Sequence, residues 1–222
     1  MEQMSVKPGR QHLCYRCGSL ATTKEHVVPR CLYPDKPAAK LITVPACRSC
    51  NNALAKDEEY FRTILAAQWI DSPSARAVWE QKVRPSFDRQ RDGLRKSLLA
   101  NMRDIYLPSE QGFVQTGLLR LDDSRMDRVA EKIVRGLYFH VMGKVMPDAT
   151  EMRFHWRPRD WLRDTALSAR LISVDPDVFS CRYGMAAKGS KEVSIWWMLF
   201  YRSLMYVVTA QSDQAALIEV GG

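Results

Sequence analysis

HLCYRCGSLATTKEHVVPRCLYPDKPAAKLITVPACRSCNNALAK, residues 12–56, is the stretch on which the fold turns. It carries two C-x-x-C pairs, Cys14/Cys17 and Cys47/Cys50. In such a pair both thiolates project from one tight turn toward one point, and four sulfurs suit tetrahedral zinc. The interval between the pairs, residues 18–46, is longer than the roughly 15–20 residues of a common zinc-ribbon gap. The loop is therefore expected to hold structure of its own.

Outward from this stretch, the 222 residues allow one domain, or one domain with a small appended module. The hydrophobic share of 46% and the charged share of 26% match soluble globular chains and exclude fibrous or wholly disordered ones. The longest apolar run, Ile195 to Tyr201, is too short for a membrane helix, and the polar start lacks the apolar stretch of a secretory signal. A cytoplasmic protein is expected, without a membrane partner. In a reducing compartment its cysteines are metal ligands or packing residues before they are disulfides, and Cys31 and Cys181, with no partner spacing, read as packing residues. Basic residues outnumber acidic ones 33 to 25, a net charge of +8, which favours a polyanionic partner.

From Asp57 onward the pattern turns helical. Tyr60, Ile64, Leu65, Trp69 and Ile70 recur at three- and four-residue spacing up to Asp71-Ser72-Pro73, and Asp57, Glu58 and Glu59 suit a first turn. Further helices are predicted over 74–84, over 85–105 up to the Leu107-Pro108-Ser109 breaker, and over 124–141. The last has an apolar face through Met126, Val129, Ile133, Leu137 and Val141. Its other face carries Arg125, Arg128, Lys132 and Arg135, which reads either as a solvated face or as a stripe of phosphate contacts. Residues 153–161 interleave aromatics with arginines, a pattern of core packing or of base stacking, with core packing the default. Residues 178–183, 193–200 and 204–209 are aromatic and β-branched runs, predicted as strands of a small antiparallel sheet. Of the adjacent Trp196 and Trp197, one should face the core and the other a second surface.

Between the cysteine pairs lies Thr23-Lys-Glu-His-Val-Val-Pro29, and Asn51-Asn52 follows Cys50 directly, with Lys56 downstream. The order C-x-x-C, then Glu-His with an apolar pair and Pro, then C-x-x-C-N and Lys, resembles the HNH endonuclease family, whose fold is the ββα-metal (His-Me) finger. The resemblance covers about residues 12 to 62. It implies a metal-dependent endonuclease that hydrolyses DNA phosphodiester bonds. His26 is then the general base, because imidazole is substantially neutral near physiological pH. Glu25 and Asn51 match the family's ligands for a divalent ion, and oxygen donors suit Mg2+ or Mn2+. The four cysteines hold a structural Zn2+. Arg30 and Lys56 are candidates for contacts to the nucleic-acid phosphates. The family's middle asparagine has no counterpart, since Lys40-Leu-Ile-Thr-Val-Pro45 stands in its place, so Thr43 or a backbone carbonyl is left to orient the His26 ring. Asn52 competes with Asn51 as ion ligand, with Asn51 favoured by its place after Cys50.

The expected fold is α+β: a zinc-stabilised ββα-metal nuclease module over residues 10–62, then residues 63–222 as a helical body with a small C-terminal antiparallel sheet, suited to substrate or partner selection. DNA is the expected partner, RNA a substrate the finger alone does not exclude, and homodimerisation or a partner protein is left open. The competing readings are a zinc-stabilised nucleic-acid-binding or interaction module without catalysis, and an effector subunit that depends on a partner.

Overall fold

The computed structural model describes residues 12–37, 40–68, 72–89, 93–158, 169–213 and 218–219. The chain mixes helices with antiparallel sheets. At its start, strands β1 (Thr23–His26) and β2 (Thr43–Ala46) pair antiparallel, with Glu25 opposite Val44 and His26 opposite Thr43. Side chains alternate across such a ladder. Glu25, Val44 and Ala46 are accordingly buried, while Lys24 and Thr43 are exposed. The short helix α1 (Arg48–Asn52) follows β2.

Helix α2 (Ala55–Ala67) buries Tyr60, Ile64 and Leu65, which the helical spacing selects, and also Phe61; Trp69 and Ile70 lie outside the described residues. After it come α3 (Pro73–Val78), a π-type turn at Trp79–Val83, α4 (Arg84–Phe87) and α5 (Gly93–Ala100). The helix predicted over 85–105 is not one element: Arg84–Phe87 continues the preceding helical stretch, and Gly93–Ala100 is a separate helix that stops at Ala100. Met102–Ser109 is instead strand β3, paired over its length with β4 (Gly112–Leu119). The reason is a hairpin closed at Glu110-Gln111: Ile105, Tyr106 and Leu107 find cross-strand partners in Thr116, Gln115 and Val114, and this ladder outweighs the weak helical periodicity of residues 101–105.

Helix α6 (Asp123–Met142) is capped by Asp122, whose side chain accepts from the Arg125 N–H, and ends at Gly143 with φ of 65°. It buries Met126, Val129, Ile133 and Leu137 of the predicted face, with Val141 only partly buried and Val134 buried in addition. A Cβ added at Gly136 would lie 3.1 Å from Val27 Cγ1, so the missing side chain is what lets α6 approach the segment after β1.

Strand β5 (Lys144–Val145) pairs with β11 (Ile218–Glu219). The larger sheet has five antiparallel strands in the order β6-β10-β9-β8-β7: β6 (Glu151–Pro158), β7 (Arg170–Asp175), β8 (Phe179–Lys188), β9 (Lys191–Phe200) and β10 (Leu204–Asp213). The last three coincide with the predicted strands. Phe154 and Trp156 of β6 pack on Tyr206, Trp156 edge-on with centroids 4.3 Å apart, while Arg153 and His155 are exposed. Core packing therefore accounts for the aromatics of residues 153–158. Residues 159–161 of that segment lie outside the described residues.

Trp196 stacks on Tyr183 in the main core at 5.1 Å, and its neighbour Trp197 joins a second cluster with Met205 and Val207. The turn between β9 and β10 places Tyr201 and Arg202 at positive φ, and the Tyr201 hydroxyl donates to the Leu32 carbonyl at 2.5 Å. Phe200 packs edge-on against Phe61 of α2. One hydrophobic cluster thus includes Cys14, Val44, Phe61, Ile133, Trp196 and Tyr206, tying the N-terminal stretch, both long helices and the sheet together. Among the described residues no helix is long and apolar enough to cross a membrane.

Candidate functional site

The first cysteine pair sits on a tight turn. Gly18 N–H donates to the Cys14 carbonyl at 3.0 Å, and Gly18 has φ of +69°, a conformation glycine adopts without strain. Tyr15 N–H donates to the Pro45 carbonyl at 2.9 Å, which fastens this turn to β2 just before the second pair. The second pair opens α1: Cys47 Sγ caps the helix by accepting from the Cys50 N–H at 3.5 Å. Cys14, Cys17, Cys47 and Cys50 bring their sulfurs within 4.8 Å of one another. Among the described residues they are the one group of three or more His, Cys, Asp or Glu side chains so placed.

The donor set fits zinc. Tetrahedral Zn–S bonds of ~2.3 Å put neighbouring sulfurs about 3.8 Å apart, and the Cys17 and Cys47 sulfurs lie 3.8 Å apart. The Ser49 hydroxyl, 3.1 Å from Cys47 Sγ, and the Cys50 N–H pull the Cys47 thiol down, while burial and the neighbouring sulfurs push the Cys50 thiol up, as expected of four sulfurs crowded together. Cys31 and Cys181 stand apart from this cluster, and burial pushes both thiols up, Cys31 to about 11. They are packing residues, as their lack of partner spacing suggests.

Beside this centre, β1 turns Glu25 into the protein. Glu25 is 6% exposed; one carboxylate oxygen, Oε1, accepts from Lys132 Nζ of α6 at 2.9 Å, and the same ammonium reaches Glu58 Oε1 of α2. The other oxygen, Glu25 Oε2, is buried with no hydrogen-bond partner among the described residues. Burial raises the Glu25 carboxyl above its usual range, and the Lys132 charge opposes that rise. A buried carboxylate oxygen without a donor is a costly arrangement that a cation would relieve.

His26, at the end of β1, is half-buried. Burial lowers its pKa below the ordinary imidazole value, the charges of Arg30 and Lys132 lower it further, and Glu58 opposes them, so the balance favours the neutral ring. Among the described residues no hydrogen bond holds the ring, including none from Thr43 across the ladder.

Asn51 donates from Nδ2 to Thr23 Oγ1 at 3.0 Å and to the Lys24 carbonyl at 3.4 Å. Because Thr23 Oγ1 itself donates to the Ala46 carbonyl at 2.9 Å, it must accept from Asn51, which fixes the amide's orientation and leaves Oδ1 for another partner. Asn52 is exposed. No hydrogen bond joins Asn51 to Glu25 or His26 among the described residues.

Arg30 gives Nη1 to the Pro34 carbonyl at 2.9 Å and Nη2 to the Asp35 carbonyl at 2.5 Å, bracing the loop after Pro29. Lys56 is exposed and lines a cleft of about 520 Å³ with Glu59, Arg89 and Arg125. The basic face of α6 is largely engaged within the chain. Arg125 and Arg128 each donate to Asp57 at 2.8 Å, Lys132 joins Glu25 and Glu58, and Arg135 binds Glu131 together with the Met146 and Pro147 carbonyls. The stripe is therefore mostly an intramolecular seam between α6, α2 and β1.

Glu58 and Lys132 are the residues that sequence reasoning did not place at the site. Glu58 sits in a helical first turn and Lys132 in the middle of a distant helix, and no local spacing links either to Glu25. In comparisons with known proteins, no family model, no curated protein and no solved structure matches the chain.

Proposed function

We propose that the chain is a metal-dependent endonuclease of the HNH kind, with a ββα-metal finger built from β1, β2 and α1, that hydrolyses DNA phosphodiester bonds. The observation that carries the reading is the buried, unpartnered Oε2 of Glu25, one residue before His26 in β1. In this reading His26 takes the proton from the attacking water, a task that needs the neutral ring. Glu25 Oε2 and Asn51 Oδ1 would hold a divalent ion, Mg2+ or Mn2+, which would offset negative charge on the phosphoryl and leaving oxygens. The four cysteines hold zinc for structure only. Lys56, with Arg89 in the same cleft, and Arg30 bind the phosphates flanking the scissile bond; the net charge of +8 supports a polyanionic substrate.

Supercoiled plasmid incubated with the zinc-loaded protein and Mg2+ is expected to be nicked or linearised. Chelation of Mg2+ abolishes the conversion, and His26→Ala slows it by about 10²–10⁴-fold. Equal conversion by the two chains removes His26 from the mechanism. Matched DNA and RNA substrates, duplex and single-stranded, decide the sugar.

One observation favours a second reading, a zinc-stabilised binding module without catalysis. The Lys132 ammonium already neutralises Glu25 from one side, as a structural lysine would. That reading predicts salt-sensitive DNA binding with no cleavage under any divalent ion.

A further inference from the structure

Lys132 is 2% exposed, and its ammonium lies between carboxylates from two other elements, Glu25 of β1 and Glu58 of α2. A buried lysine is retained at such a place only when its charge is matched. Here it is more than matched: two carboxylates face one ammonium, and the atom left over is Glu25 Oε2, buried and without a donor. Besides burial, the groups that act on the Glu25 carboxyl are Lys132, Glu58 and the backbone N–H of His26.

We infer that Lys132 sets the cation affinity of the site: by engaging Glu25 Oε1 it leaves Oε2 as the oxygen offered to a divalent ion, and its charge keeps that ion weakly bound until a phosphodiester enters. The inference deepens the nuclease reading and rests on it. Two like charges gathered around one carboxylate repel strongly where burial limits screening. An incoming phosphate anion offsets this repulsion, so ion and substrate bind with positive coupling, each raising the affinity of the other. Lys132 is thus a positioning residue; it touches neither water nor phosphorus.

The test uses the full-length, zinc-loaded chain and reads Mn2+ binding by electron paramagnetic resonance of the free ion, without DNA. Lys132→Met keeps the stem and deletes the charge; Mn2+ binding is expected to tighten at least tenfold. Glu58→Gln leaves the ammonium to Glu25 alone, and binding is expected to weaken at least threefold. A phosphorothioate duplex should tighten Mn2+ binding by a larger factor in the wild-type chain than in Lys132→Met.

Equal or weaker binding by Lys132→Met overturns the inference, as does an equal effect of the duplex on both chains. If Lys132→Met retains too little zinc to be folded, Glu58→Gln decides alone, and unchanged or tighter binding there overturns it. Glu25→Gln separates the two levels. Loss of Mn2+ binding in that variant keeps the metal site even when the role of Lys132 fails, whereas binding indifferent to it removes the site and the inference together.

Discussion

Asn51 of α1 is held by Thr23 of β1 through a 3.0 Å hydrogen bond in which the threonine oxygen can only accept, because its own proton is given to the Ala46 carbonyl. Two elements and one cross-strand carbonyl thus decide which end of the Asn51 amide faces outward. Thr23→Val removes this acceptor at nearly constant volume and leaves only the 3.4 Å bond to the Lys24 carbonyl to hold the amide. A lost hydrogen bond of this kind is worth about 1 kcal/mol, so in the proposed divalent-ion site Mn2+ affinity is expected to fall by roughly fivefold. Zinc content should not change. Mn2+ titration of the two chains, with elemental analysis for zinc, checks both parts.

The cysteine cluster allows a separation of metal from capping. Cys47 both offers a sulfur to the cluster and caps α1 through the Cys50 N–H. In Cys47→Ser the hydroxyl is a good cap but a poor zinc ligand. Loss of a direct ligand should exceed the roughly 10–100-fold cost of disturbing a ligand's supporting partner, so zinc affinity is expected to drop by more than about a hundredfold and the cooperative thermal transition to broaden. Cys31→Ser, outside the cluster, should keep one zinc per chain. Equal zinc content in Cys47→Ser and the wild-type chain would falsify the four-cysteine centre.

What the sequence made legible is what depends on neighbours in the chain. The cysteine pairs announce themselves because ligand spacing within a turn is local. Helix α6 is written in its period, and β8, β9 and β10 in their aromatic and β-branched runs. Strand β3 is not, because Ile105 and Tyr106 become strand residues only when Thr116 and Gln115 lie beside them. The charged seam is illegible for the same reason. Arg125, Arg128 and Lys132 look like a solvent-facing stripe until α6 is laid against the acidic first turn of α2. Glu58, taken as a carboxylate favourable to a helix end, is also the second partner of Lys132. Chain-local rules find ligands and periods, whereas the groups that tune a buried carboxylate come from wherever packing brings them.

Asp57 gives that seam a measurable pH signature. Hydrogen bonds from Arg128 and then Arg125 hold its carboxyl below the ordinary value of 3.8, outweighing the opposing effect of burial. A carboxylate with a depressed folded pKa contributes stability that is fully present above its unfolded pKa and is lost as pH falls through the folded one. Asp57→Asn removes the charge but keeps the shape. Bonds to charged groups are worth about 1.5–3 kcal/mol, and Arg128 is nearly half exposed, so solvent screening places the expected cost near the lower end. Urea unfolding of the two chains should show a constant gap from neutral pH down to about 5, shrinking below the unfolded value of ~3.9. Zinc release at acid pH is common to both chains and cancels in the difference. A gap that stays constant down to pH 2 would mean that the two arginines stabilise α6 without the Asp57 charge.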